Sequence, residues 1–90
     1  MHSATFTELA DGIGVLQVVD PNGHHVGEID FTAREDGPNR GSLLGTANEM
    51  LREIGWQLDY GWMFDGVDAD GHPYRRGPVV RLGERTSVWD

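Results

Sequence analysis

Residues 65–72, DGVDADGH, combine carboxylates and a histidine at the close spacing found in calcium-binding loops. If Asp68 and Asp70 are aligned with the third and fifth ligand positions of an EF-hand, two other ligand positions are occupied by glycine. Gly66 stands in place of the first ligand, and Gly77 stands in place of the bidentate glutamate. Because two ligands and both flanking helices are missing, we expect a polar hairpin turn here and no bound metal.

His24 and His25 form a second arrangement that could ligate a metal ion. They follow the turn sequence DPNG and begin a segment with strand character. Neighbouring side chains on a strand point to opposite faces, so the two imidazoles cannot readily bind one ion. We expect both histidines to be solvated, and the sequence indicates no metal or other cofactor.

The chain contains none of the catalytic motifs GxSxG, HExxH, the P-loop or the Rossmann glycine pattern. It has no cysteine, which excludes a thiolate nucleophile, a disulfide framework and a cysteine-ligated zinc site. Glu49 and Glu53 lie one helical turn apart beside Arg52, as expected of a solvated helix face. The sequence therefore predicts a non-catalytic protein, and a small enzyme built on carboxylates and His72 is the alternative.

All seven basic residues are arginine, and four of them follow position 70. These four are Arg75, Arg76, Arg81 and Arg85. On a strand, Arg76 would share one face with Tyr74, and Arg75 would share the other face with Arg81. Such a face could stack on bases or bind phosphate, so an anion site or a nucleic-acid-binding module is one hypothesis. The other hypothesis is that these arginines balance the acidic groups of their own domain.

The chain is acidic, with 15 acids, 7 arginines and a net charge of −8. Residues 1–70 hold 13 acids and 3 arginines, whereas residues 71–90 hold 2 acids and 4 arginines. The net charge repels nucleic acid and anionic membranes and favours a protein partner with a basic surface. The use of arginine without lysine is typical of GC-rich coding sequences and indicates a bacterial or phage origin. Because there is no secretory leader pattern and no membrane-length apolar run, we expect a cytoplasmic protein.

Hydrophobic periodicity and turn residues divide residues 1–90 into the elements of a single domain. Strands are predicted at residues 3–9, 14–20, 24–31, 56–64 and 74–82, and an amphipathic helix at residues 42–55. Ser42 is the expected N-cap of the helix, and Asp11 with Gly12 forms the expected first hairpin turn. Pro78 lacks an N–H group, so the last strand is expected at a sheet edge or to be interrupted. The order βββαββ predicts an α+β fold, with a five-stranded, mainly antiparallel sheet and one helix packed on one face.

Residues 55–65, GWQLDYGWMFD, place a large apolar side chain at every second position. This period is typical of the buried face of a strand. A helix of about 13 residues is about 20 Å long, whereas about nine strand residues span about 30 Å. Trp56, Leu58 and Tyr60 are therefore expected beneath the helix. Trp62 and Phe64 are expected to project past its N-terminus.

The projecting end of this stripe needs a cover, and the loop at 32–41 has no large apolar residue to supply one. The C-terminal residues Val88 and Trp89 are one candidate cover, and a partner protein is the other. Exposed aromatic and methionine side chains often supply the hot spots of protein interfaces. The candidate protein-binding residues are therefore Trp62, Met63, Phe64 and Trp89. A bulge at Gly61 would turn Trp62 to the opposite face instead.

The second predicted strand carries apolar side chains on both faces, because Leu16 and Val18 alternate with Val15 and Val19. One helix covers only one face, so self-association through the other face, as in a homodimer, is a further hypothesis.

Together these features predict a small acidic binding or regulatory protein of the accessory, immunity or inhibitor type. It would act by protein–protein interaction, with electrostatic steering toward a basic partner. One version is a mimic of nucleic acid, which requires the acids to form ordered rows.

Overall fold

The computed structural model describes residues 1–10 and 12–83, which form one sheet and one helix. The strands are β1 (Ser3–Glu8), β2 (Ile13–Val19), β3 (His25–Thr32), β4 (Trp56–Leu58), β5 (Phe64–Val67) and β6 (Pro73–Arg81). The helix, α1 (Leu43–Glu53), lies between β3 and β4 in the chain. The predicted α+β fold is confirmed, and the fourth predicted strand is present as two short strands.

The strand order in the sheet is β3-β2-β1-β6-β4, and each pair of neighbours is antiparallel. One side of β6 pairs with β1. The other side pairs with β4 near Val79 and with β5 near Arg75. The continuous strand predicted over 56–64 is therefore wrong, because β4 and β5 are separate pieces of one broken edge.

Pro78 lies in a continuous strand inside the sheet, contrary to the prediction of an edge or an interrupted strand. Its neighbour Val79 donates its N–H to the carbonyl oxygen of His2 at 3.0 Å. Because successive residues of a strand direct their N–H groups to opposite sides, the missing donor of Pro78 faces away from β1. On that side the N–H of Asp59 donates to the Pro78 carbonyl oxygen at 2.9 Å. The missing donor thus falls at the gap between β4 and β5, where the regular ladder is interrupted.

The helix begins after Ser42, whose Oγ accepts a hydrogen bond from the N–H of Gly45 at 3.0 Å. This N-cap was predicted, and it satisfies one of the donors that a helix start leaves without a partner. The chain leaves the helix through Gly55 with φ 94°, a conformation that favours glycine. No helix in the described part of the chain has the length and apolarity needed to cross a membrane.

The core lies between α1 and one face of the sheet. Its buried apolar residues are Ala4, Phe6, Leu16, Val18, Phe31, Ala47, Leu51, Trp56 and Val79. Cross-strand partners share a face of a sheet, so residues that alternate with this set lie on the opposite face. No element among the described residues packs on that opposite face, which we call the open face. Val15 and Val19 lie on it and are half-buried, as the alternating apolar pattern of β2 predicts.

Candidate protein-binding surface

The chain approaches the backbone of β6 closely at the break between β4 and β5. A Cβ atom at Gly77 would overlap the carbonyl oxygen of Gly61. Gly61 itself has φ 120°, which favours glycine. These two glycines let the chain at 59–63 cross close to β6, and the alternation of the aromatic stripe ends there.

Trp62 lies on the core side of the break and is half-buried. Its ring centroid is 6.2 Å from that of Phe6. Its Nε1 donates a hydrogen bond to Oδ1 of Asn48, on α1, at 3.0 Å. The prediction that Trp62 projects past the helix is therefore wrong, because the crossing at Gly61 brings it back to the helix and the core.

The other residues of the stripe are also redistributed. Trp56 is buried and Leu58 is half-buried near the end of α1, as predicted. Tyr60 is 76% exposed, so its predicted place beneath the helix is wrong. The regular pairing of β4 ends at Leu58, and the alternation of faces does not continue through the break.

Exposed apolar side chains are concentrated on the segment that follows. The described residues include seven exposed large hydrophobic side chains, and four of them lie between positions 60 and 67. Met63 is 58% exposed, Phe64 is 65% exposed, and Val67 is 65% exposed. We call Tyr60, Met63, Phe64 and Val67 the apolar edge. They lie on β5 or in the segment just before it, and β5 pairs with β6 on one side only. Met63 and Phe64 are thus placed on the surface, as expected for two of the candidate binding residues.

Arg76 joins the apolar edge on the open face, where it is the cross-strand partner of Phe64. A shallow cavity of about 240 Å³ is lined there by Met1, His2, Ser3, Met63, Phe64, Arg76, Gly77 and Pro78. The guanidinium of Arg76 lies 5.7 Å from the ring centroid of Tyr74, and its Nε donates to Oγ1 of Thr5 at 3.3 Å. One candidate anion-binding residue and two candidate protein-binding residues therefore meet at one site, which no spacing in the sequence indicated.

The remaining arginines lie elsewhere. Arg75 is the cross-strand partner of Phe6 and therefore lies on the helix side of the sheet. Arg81 lies on the same side, about 20 Å further along the strand, with its guanidinium 4.9 Å from the ring centroid of Trp56. The arginines of β6 therefore do not form a single basic patch. Arg85 lies outside the described residues.

Other residues named in the sequence predictions also fall outside the described part of the chain. They are the C-terminal pair Val88 and Trp89, and Asp11 of the first turn. The candidate binding surface is therefore built from Tyr60, Met63, Phe64 and Arg76.

A second cavity, of about 370 Å³, opens on the helix side of β6. Its lining includes Phe6, Glu8, Asp65 and Arg75. His72 does not line this cavity, and its Nδ1 lies 3.7 Å from Oδ2 of Asp68 in the turn that follows β5.

The turns at positions 20–24 and 68–72 share one structure that the sequence reading missed. Oδ1 of Asp20 accepts hydrogen bonds from the N–H groups of Asn22 and His24, both at 2.9 Å. Oδ1 of Asp68 accepts from the N–H groups two and four residues later in the same way, both at 2.9 Å. The signal was the pattern D-x-[ND]-G-H, which occurs in both segments.

The second of these turns contains the three residues most suited to hold a metal ion. One ligand atom from each of Asp68, Asp70 and His72 lies within 4.8 Å of the others. The first turn makes the same backbone hydrogen bonds with an asparagine in place of the second aspartate. Asp68 therefore has a role in the turn that does not depend on a metal.

No family model, curated protein or solved structure matches this chain.

Proposed function

We propose that this chain is a non-catalytic protein-binding module that docks on a partner through the apolar edge. The observation that carries the proposal is the concentration of exposed Tyr60, Met63 and Phe64 on one edge of the sheet. Aromatic and methionine side chains are enriched in the cores of interfaces, and a few of them supply most of the binding free energy.

The backbone of β5 supports this role. It is an edge strand of four residues, and its outer side pairs with no other strand of the described chain. The unpaired N–H and C=O groups of an edge can bind an extended segment of a partner. Side chains on both faces of the edge would then contact the partner, with Phe64 on one face and Val67 on the other.

The charge of the chain favours a partner with a basic surface. The net charge is −8, and Asp65 lies within the apolar edge. Complementary charge would increase the rate of association more than the final affinity.

Two other functions are less well supported. The arginines that a nucleic-acid-binding module would need are divided between the two faces of the sheet. The acids of the described chain are spread over strands, turns, the loop and the helix, which does not favour a mimic of nucleic acid.

The experiment is affinity capture from the native host with three forms of the protein. They are the wild type, a Met63→Ser/Phe64→Ser double variant, and a Val26→Ser control. Val26 is 47% exposed on β3, at the opposite edge, so it matches the test residues in chemistry but not in position. We expect the double variant to lose at least about tenfold of a partner that the control retains.

Equal capture of all specific partners by the double variant and the wild type would contradict the proposal. Thermal unfolding of the three forms provides the check on folding. Since all three substituted side chains are exposed, we expect their midpoints to agree closely.

A further inference from the structure

The open face carries a charge pattern that is complementary to itself. The strand registers place one row of side chains across five strands. In order from β3 to β5, the row is Glu28, Gln17, Thr5, Arg76 and Phe64. Glu28 lies on the edge strand β3, and Arg76 lies on β6, three strands away.

These two charges do not pair within one chain. Adjacent strands are about 4.8 Å apart, so Glu28 and Arg76 are about 14 Å apart across the sheet. Glu28 instead accepts a hydrogen bond from Nε2 of Gln17 at 2.7 Å. Neither Glu28 nor Arg76 takes part in an ion pair with another described residue.

We propose that a second copy of this chain packs on the open face, related by a two-fold axis that runs parallel to the strands between β1 and β2. Rotation about this axis places β3 of each copy over β6 of the other, and β2 over β1. Glu28 of each copy then faces Arg76 of the second copy, and Gln17 faces Thr5. Two charge pairs form at once, as in any isologous interface.

The next row fits the same arrangement. It contains Asp30, Val15, Thr7 and Tyr74, in order from β3 to β6. Asp30 faces Tyr74 of the second copy, whose hydroxyl can donate to a carboxylate. Val15 faces the methyl group of Thr7 and becomes buried. Two sheets with nearly parallel strands are the aligned packing found in β-sandwiches.

The charge pattern also excludes the other simple face-to-face arrangement. A two-fold axis in the same plane but perpendicular to the strands would place each strand over its own copy. β3 would then face β3, and the acids Glu28 and Asp30 would face each other across the interface. Like charges in that position oppose association.

The dimer uses the open face and the proposed partner uses the apolar edge, and Arg76 is the one residue at the border of both. In the dimer, β3, β2, β1 and β6 of one copy face the same four strands of the second copy. β5 lies beyond β6 and faces no strand of the second copy. The apolar edge of each copy stays accessible, so the Met63→Ser/Phe64→Ser variant should still dimerise, which distinguishes the two proposals.

Sedimentation equilibrium with reversed charges tests the dimer. We expect the wild-type mass to rise with concentration from 10.0 kDa toward about twice that value. Arg76→Glu and Glu28→Arg should each weaken the dimer by about tenfold or more, because each creates two like-charge contacts. An equimolar mixture of the two variants should restore association to within about threefold of wild type, since a heterodimer contains only opposite-charge contacts.

Arg75→Glu is the matched control, because Arg75 is on the same strand but on the helix side. It should dimerise as the wild type does. A wild type that remains monomeric at about 1 mM would overturn the proposal. So would a mixture that fails to recover, or a control that weakens as much as Arg76→Glu, provided that circular dichroism shows all variants folded.

Discussion

The carbonyl oxygen of Gly61 occupies the space that a side chain at Gly77 would need. This contact divides the edge of the sheet into β4 and β5, and it places Trp62 and Phe64 on opposite sides of that edge. The position of the candidate binding surface therefore depends on two residues without side chains.

Gly77→Ala should destabilise the protein by about 1 to 3 kcal/mol, because the new methyl group must displace backbone atoms of the crossing segment. Gly27→Ala is the control, since the nearest atom to a Cβ there is Cδ1 of Ile54 at 3.6 Å, an ordinary contact. Urea unfolding measures both variants. Equal free energies of unfolding for the two would show that the close approach at Gly77 does not limit the packing.

Trp62→Phe should reduce the free energy of unfolding by about 0.5 to 1.5 kcal/mol, because it removes the donor to Asn48. A double-mutant cycle with Asn48→Ala isolates this bond from the change in ring packing. The expected coupling energy is about 0.5 to 1 kcal/mol, at the low end because Asn48 is exposed. A coupling energy near zero would mean that the helix does not hold the indole.

The backbone N–H of His24 lowers the pKa of Asp20 below its ordinary value of 3.8, with a smaller lowering by the backbone of Asn22 and an opposing effect of desolvation. The lowered pKa means that ionised Asp20 stabilises the fold at pH values above 3.8. This contribution is lost as the pH falls through the pKa of the folded chain.

Asp20→Asn should keep the oxygen that accepts from the turn but remove the titration. The difference in unfolding free energy between wild type and variant should therefore shrink as the pH is lowered from about 5 to about 2. Denaturant unfolding across this range is the measurement. A difference that is constant with pH would contradict the assigned role of the carboxylate.

Gly45 lies inside α1, where alanine is normally more stable by up to about 1 kcal/mol. A Cβ atom at Gly45 would lie 2.5 Å from Oδ1 of Asn39, so Gly45→Ala alone should gain little. In an Asn39→Gly background all three obstructing side-chain atoms are removed, and the same change should stabilise by about 0.5 to 1 kcal/mol. Thermal unfolding of the wild type, the two single variants and the double variant separates the helix propensity of alanine from the obstruction by Asn39. An equal gain from Gly45→Ala in both backgrounds would rule out the obstruction.

The sequence predicted the elements whose signals are local. The N-cap at Ser42, the amphipathic pattern of α1 and the alternation in β2 each depend on residues close together in the sequence, and each is present. The interior position of Pro78 and the turn of Trp62 back to the core depend on contacts between distant segments. Hydrophobic periodicity carries no information about such contacts, so the sequence predicted one continuous strand across residues 59–63.

Only part of the candidate site was predicted, because its assembly also depends on contacts between distant segments. Met63 and Phe64 are exposed as expected, but Arg76 joins them through the pairing of β5 with β6. Sequence reasoning had assigned that arginine to a separate group. The D-x-[ND]-G-H repeat, by contrast, was visible in the sequence and needed only an alignment of the two segments.

The position of β6 has a consequence for synthesis on the ribosome. It is the last strand of the described chain to be made, and it provides the only strand partner of β4 and of β5. Until it emerges, the nascent chain can form the β1–β2–β3 meander, but β1 keeps one open edge and the segment 56–67 has no strand to join. Insertion of this interior strand therefore completes the described sheet during synthesis, and stalling before position 73 would leave an edge prone to association with other chains.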